Sequence, residues 1–210
     1  YEILRCLVGS EMCIRDRSPS GCWTNHHSIT EYNGQWYLFY HHNDYSPNFD
    51  KNRSARIDSL FFNTDGTIKK VKPTLRGVGI TDARSKIQID RYSTISPYGV
   101  TIDYLEPSNT FEGWQTLFNR AGTWVTYNKV DFGTTPVKRL KARVRSEKGG
   151  AITLRTPGEK GMTIAELPIK PTEKWTEIST NVSNAPTSMQ DLIITQTGEN
   201  PVAVDWISFE

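Results

Sequence analysis

Arg139-Leu140-Lys141-Ala142-Arg143-Val144-Arg145 alternates basic and small apolar residues without a fault. A two-residue period puts Leu140, Ala142 and Val144 on one face of a strand and the four basic side chains on the other. Such a strict two-residue alternation over seven residues is the pattern of a half-buried β-strand. The basic row reads as a solvated strand face rather than a polyanion stripe, since Glu and Asp nearby cancel its charge. Outward from this segment, Trp124-Val125-Thr126-Tyr127-Asn128-Lys129-Val130-Asp131-Phe132 ends at Gly133. Ile152 with Leu154, Met162 with Ile164, Leu192 with Ile194, and Val202, Val204 and Trp206 supply further inward pairs. Trp124, Tyr127, Phe132 and Trp206 read as core rings. Turn signals separate these strands at spacings that suit a sandwich, and no 3.6-residue period is sustained. The fold class is all-β.

Residues 28–71 form a separate meander. Ser28 to Tyr32 and Gln35 to His42 flank Asn33-Gly34, a strong hairpin signal because both turn positions need positive φ. A polar loop, Asn43 to Asn52, follows. Ala55 to Phe62 alternates again, Asn63 to Thr67 makes a second turn, and Ile68 to Val71 reads as a fourth strand. A lone meander of this size buries little and normally belongs to a repeating all-β array. Lys72-Pro73-Thr74 to Gly77-Val78-Gly79 is rich in Pro and Gly and marks a boundary. The chain thus divides into a segment 1–20, a meander 21–78, a linker 79–84 and a β-sandwich 85–210.

Composition narrows the function. The formal net charge is +2, which gives no electrostatic basis for binding nucleic acid or an anionic membrane. No run of about 18 apolar residues is present to span a bilayer as a helix. Six Trp and nine Tyr are enough to furnish both a core and a recognition surface. Residues 1–17 lack a secretory layout, with Glu2 and Arg5 interrupting any apolar core. Their Cys6-Leu7-Val8-Gly9-Ser10-Glu11-Met12-Cys13-Ile14-Arg15-Asp16-Arg17 run resembles translated sequencing-adapter read-through. Residues 1–20 are therefore set aside as non-native, and the odd count of three Cys carries no redox information.

Two family resemblances follow. Thr24-Asn25-His26-His27-Ser28-Ile29, Gly34-Gln35-Trp36-Tyr37-Leu38-Phe39-Tyr40-His41, Arg53 to Asp58 and Asp65 to Ile68 resemble the last blade of glycoside hydrolase family 43. That family comprises five-bladed propeller xylosidases and arabinofuranosidases. The resemblance implies that His26 is an active-site remnant near the propeller axis, with a structural histidine as the competing reading. Glycoside hydrolysis needs two carboxyl groups set across the scissile bond. In the family these come from earlier blades, and Glu31, Asp44, Asp50, Asp58 and Asp65 match no catalytic motif. No turnover is expected from this chain.

Ile87-Gln88-Ile89-Asp90-Arg91-Tyr92, Gly122 to Gly133, Glu173-Lys174-Trp175 and Val204-Asp205-Trp206 with Phe209 resemble carbohydrate-binding module family 6. The resemblance implies a jelly-roll sandwich whose loops clasp a sugar between two aromatic rings, here Phe118 and Trp175. A pyranose has an apolar C–H face that stacks on a ring, while its hydroxyls need polar partners. Polar neighbours on both sides of Trp175 leave ligand contact and core packing equally open, and Phe118 leans toward the core. Trp114 is a third loop ring. The family's sugar-binding Asn falls on Ala203, with Asn200 three residues away. Losing that amide removes hydrogen bonds worth about 0.5–1.5 kcal/mol each, which leaves the cleft weak, altered or silent. The resemblance further implies a structural Ca²⁺ held by Gln88, Asp90 and Asp205, whose oxygens suit a hard cation; ordinary strand-end hydrogen bonding is the alternative.

The expected function is non-catalytic. A secreted, periplasmic or cell-surface bacterial module would tether a family 43 glycosidase, against which it packs, to xylan or arabinose-substituted plant polysaccharide. Two alternatives stand beside it: the glycosidase activity of a longer parent protein, and a structural sandwich with a silent cleft.

Overall fold

The computed structural model describes residues 26–42, 54–71, 73–74, 76–158 and 161–210. The segment 1–20, the cysteines and the 43–52 loop lie outside them. The chain divides into two units, Tyr1–Val78 and Gly79–Glu210.

In the first unit, β1 (Ser28–Tyr32), β2 (Gln35–His42) and β3 (Ser54–Leu60) make an antiparallel sheet in that order. Asn33 and Gly34 have φ of 51° and 77°, the two left-handed positions that the tight turn requires. Leu38, Tyr40, Leu60 and Val71 are buried together, with Ile29, Trp36, Phe62 and Ile68 packed against them. Asp58 is buried at the edge of this cluster. It accepts hydrogen bonds from the Tyr40 hydroxyl, from the Thr74 hydroxyl at 2.6 Å and from the Thr74 N–H at 3.1 Å. The expected fourth strand, Ile68 to Val71, is reduced to one bridge between Phe62 and Ile68. Its apolar residues stand three apart, out of phase with a two-residue period.

The second unit is a sandwich of twelve strands. They are β4 (Thr81–Asp82), β5 (Ile87–Gln88), β6 (Thr94–Ile95), β7 (Val100–Tyr104), β8 (Trp114–Phe118) and β9 (Trp124–Asp131), then β10 (Arg139–Ser146), β11 (Gly150–Arg155), β12 (Thr163–Ile169), β13 (Thr172–Asn181), β14 (Met189–Gln196) and β15 (Val202–Phe209). One sheet runs β13-β10-β15-β8-β7 with β5 beside β15; the other runs β12-β11-β14-β9-β4 with β6 beside β9. All pairings are antiparallel except β4 with β9. Leu140, Ala142, Val144, Ile207 and Phe209 face Tyr127, Ile152, Leu154, Leu192 and Ile194 across the core, all essentially sealed from water. Phe132 meets Phe209 edge-on at 5.0 Å.

Three expectations are corrected here. The linker 79–84 is built into the sandwich: Thr81 and Asp82 pair with β9, and Ala83 is buried, donating to Asp131 and accepting from Phe209. Met162 lies just outside β12 and is half-exposed, so it is no partner for Ile164 in the core. Trp206 is buried, but on the sheet's outer face, opposite Arg143 and beneath the Lys86 ammonium 4.3 Å from its ring centre. A register shift between Arg143 and Val144 leaves Asp205 as the extra residue of a bulge.

Candidate functional site

The outer face of the β10-β15-β8 layer is organised by one cross-strand row. Arg145 of β10 is opposite Ala203 of β15, which is opposite Leu117 of β8. On the far side of β10, the register with β13 slips between Val144 and Ser146. That slip brings Trp175 against β10's outer cations, with the Arg145 guanidinium 5.0 Å and the Arg143 guanidinium 5.4 Å from its ring centre. The alternation of Arg139 to Arg145 created this row of cations, and the tertiary fold covered part of it with indole.

A groove of about 520 Å³ opens along that row, lined by Leu117, Arg145, Glu173, Ala203, the Ser146–Lys148 hairpin and Asn200-Pro201. Leu117, Pro201 and Ala203 give it an apolar floor, and Arg145, Glu147, Lys148 and Glu173 supply charge. Two loops are locked together at its end. The Ser146 hydroxyl lies 2.7 Å from the Pro201 carbonyl and 3.0 Å from that of Gly149. Buried Gln196 donates its amide to the Asn200 carbonyl, and Asn200 Nδ2 donates to the Lys148 carbonyl at 3.4 Å. Gly149, at φ 76°, has no room for a side chain: a Cβ there would stand 2.8 Å from the Ile169 carbonyl oxygen. The groove's end therefore has a rigid backbone.

Charge on this face is unevenly neutralised. Asp205 holds Arg143 through a 2.7 Å ion pair. Burial pushes the Asp205 carboxyl above its ordinary range, opposed by the hydrogen bond and charge of Arg143 and by the charge of Lys86. Arg145 has no carboxylate within ion-pair reach among the described residues.

The predicted sugar-binding residues scatter. Asn200 lines the groove. Trp175 is half-buried beside it, with its ring attended by two guanidinium groups and its buried Nε1–H lacking an acceptor among the described residues. Phe118 is a correction: it is fully buried, pairing with Val202 in the core. Its neighbour Leu117 takes the outward position, because successive strand residues point to opposite faces. Trp114 sits at the other end of β8, stacked on Tyr104 at 4.4 Å, away from the groove. Leu117, Arg145, Glu147, Lys148 and Glu173 escaped the sequence reading. For Arg145 a signal existed, since its alternation already placed it outward; Trp114 to Phe118 does not alternate cleanly, so its phase was hidden.

His26 is exposed in the first unit, its ring 5.9 Å from that of His41. Among the metal candidates, Gln88 is opposite Trp206, and the Ile89 N–H donates to the Asp205 carbonyl at 2.9 Å, so the opening and closing strands run side by side. Asp90 is buried with its Oδ2 3.2 Å from Arg91 Nε. No group of three or more His, Cys, Asp or Glu side chains converges among the described residues. A cation here would rest on two carboxylates and the Gln88 amide.

Residues 95–210 match the family described as Carbohydrate binding module (family 6), and the chain belongs to that family. Over 186 residues the chain is 27% identical to an arabinoxylan arabinofuranohydrolase of Paenibacillus polymyxa, covering 83% of this chain and 29% of that protein. The chain thus spans under a third of that curated relative's length. A family 6 module of Clostridium cellulolyticum, solved in complex with xylose, aligns at 27% identity and TM-score 0.54 over 62% of this chain and 99% of its own. A family 43 arabinoxylan arabinofuranohydrolase of Bacillus subtilis, in complex with cellotetraose, shares the fold at TM-score 0.62 and 24% identity. It covers 89% of this chain and 40% of its own. That share of this chain exceeds the sandwich alone, so the likeness reaches into the meander, a partial blade.

Proposed function

We propose that the sandwich binds xylan or arabinose-substituted plant polysaccharide in the Leu117–Arg145–Ala203 groove, outside the cell, and holds a family 43 type glycosidase on that polymer. The observation that carries this reading is the groove's position. It runs through Ala203, where the family resemblance puts a sugar-contacting side chain, and passes beside Trp175. An apolar floor with polar rim groups matches the two-sided chemistry of a pyranose. Titration calorimetry of the chain with xylo- and arabinoxylo-oligosaccharides tests it. Saturable heat that is lost when Glu173 and Asn200 are both changed to Ala supports the groove. Absence of heat, together with no retention on insoluble arabinoxylan, leaves the structural-sandwich reading, which Ala203 and the guanidinium groups over Trp175 favour.

A structural calcium belongs to the same proposal. Burial of the Asp205 carboxyl outweighs its two cationic neighbours, and oxygen donors from Gln88, Asp90 and Asp205 suit a hard cation that would favour the ionised form. Removal of Ca²⁺ by chelator should lower the melting temperature, and added Ca²⁺ should restore it. An Asp205→Ala variant should melt at one temperature in both conditions. A parent protein indifferent to chelator would reduce these residues to strand-end hydrogen bonding.

A further inference from the structure

We propose that the groove is selective for a glycan carrying isolated uronic-acid residues, with Arg145 as the group that takes the carboxylate. This rests on the carbohydrate reading above and names its ligand class. Three observations converge on it. The first is that the two guanidinium groups beside Trp175 are not equivalent. Arg143 is neutralised by Asp205 at 2.7 Å, whereas Arg145 lines the groove with no carboxylate partner among the described residues. The charge of Arg145 is felt by Glu106, but that carboxyl is held below the usual carboxylate range first by hydrogen bonds from the Ser108 N–H at 3.0 Å and hydroxyl at 2.8 Å, and only last by Arg145.

The second observation is the preorganisation of Arg145. Its guanidinium lies 5.0 Å from the Trp175 ring centre, within cation–π range, and its N–H groups have no hydrogen-bond partner among the described residues. A carboxylate is the natural bidentate partner of such a fork, whereas a neutral hydroxyl answers one N–H at a time. Lys148, also without an ion-pair partner among the described residues, lines the same groove and adds a second positive charge.

The third observation limits the charge of the ligand. Glu147 and Glu173 line the groove as well, so the lining carries two cations and two anions. A polymer acidic at every residue would meet both carboxylates. A mainly neutral chain with an occasional acid can set its carboxylate on Arg145 and donate hydroxyls to Glu147 and Glu173, which as ionised groups only accept.

The test uses the full chain and three probes: a xylo-oligosaccharide bearing one glucuronic-acid branch, the same molecule with that carboxyl reduced to an alcohol, and a galacturonic-acid trimer. The branched acid should bind about three- to tenfold more tightly than its reduced form, the span expected of a charge-assisted pair discounted for solvent. That advantage should shrink between low and physiological salt. Arg145→Gln should bring the acid down to the affinity of the reduced form. Equal affinity of acid and reduced sugar for the parent protein overturns this proposal and leaves the carbohydrate reading standing. A preference that survives Arg145→Gln does the same, as does tightest binding of the fully acidic trimer. Binding of none of the probes, with neutral arabinoxylan also failing, overturns both.

Discussion

The meander and the sandwich each bury a carboxylate, and they accommodate it differently. Asp58 of the meander lies at the edge of its small cluster and is surrounded by neutral donors, the Tyr40 and Thr74 hydroxyls and the Thr74 N–H. Asp205 of the sandwich is kept out of the hydrocarbon between the sheets and lies on the outer face against Arg143. The difference follows from size. Two sheets facing one another fill their interior mainly with Leu, Ile, Val and Phe, and the polar side chains sealed there, such as Thr116 and Tyr127, are uncharged. A three-stranded sheet with four buried apolar residues gains so little from burial that a hydrogen-bonded hub makes up a large part of its order.

If size sets the difference, the largest effect should come from the sandwich core. Phe209→Ala removes a fully buried ring packed on Phe132 and should cost about 3–5 kcal/mol in chemical denaturation of the sandwich. Loss of the meander's structure in step with it would undo the contrast, because the two units would then fold as one. Asp58→Ala should come next. It strands the hydroxyls of Tyr40 and Thr74, costing about 1–3 kcal/mol, and should act on the meander alone. Hydrogen exchange resolved along the chain would locate the damage.

Trp175→Ala should be milder for folding, about 1–2 kcal/mol, since the ring is half-exposed and its loss leaves an open notch rather than a sealed cavity. Affinity for the uronic-acid glycan should fall by up to about three- to tenfold, because Arg145 loses the surface that holds it. A stable variant that binds as well as the parent would remove Trp175 from the site altogether.

The smallest effects are in pH, and their signs differ between the units. In Ca²⁺-free buffer the Asp205 carboxyl is raised by burial, so its contribution is fully present below the ordinary carboxylate range and is lost as pH rises through its folded value. Asp205→Asn should flatten that decline in the sandwich. Asp65, in the meander's second turn, is lowered by hydrogen bonds from the Thr67 hydroxyl and N–H. Its contribution is present above the ordinary range and lost as pH falls through the lowered value. Melting followed from acid to neutral pH, unit by unit, should show the two slopes opposed.

How far the site could be read from the chain depends on the residue. The strand at Arg139 to Arg145 announces itself, and the outward placing of Arg145 comes with it. The Asn33-Gly34 turn is equally plain, since only positive φ at both positions closes that hairpin. Ala83 was not readable in the same way. Pro and Gly on the near side of Ala83 resemble a linker locally, yet its N–H and carbonyl are claimed by Asp131 and Phe209, distant in sequence.

Periodic and local features are thus written in the chain itself: all-β structure, the inward faces of the alternating strands, and the turns between them. Which of Leu117 and Phe118 would face the groove was set by the pairing of β8 with β15, where a slip of one residue exchanges the two faces. Likewise, the environment of Trp175 was set by the register break between β10 and β13, which brought two cations against an indole that the sequence places among Glu and Lys. Phase and register are properties of pairs of strands far apart in the chain, and no window along one of them contains the other.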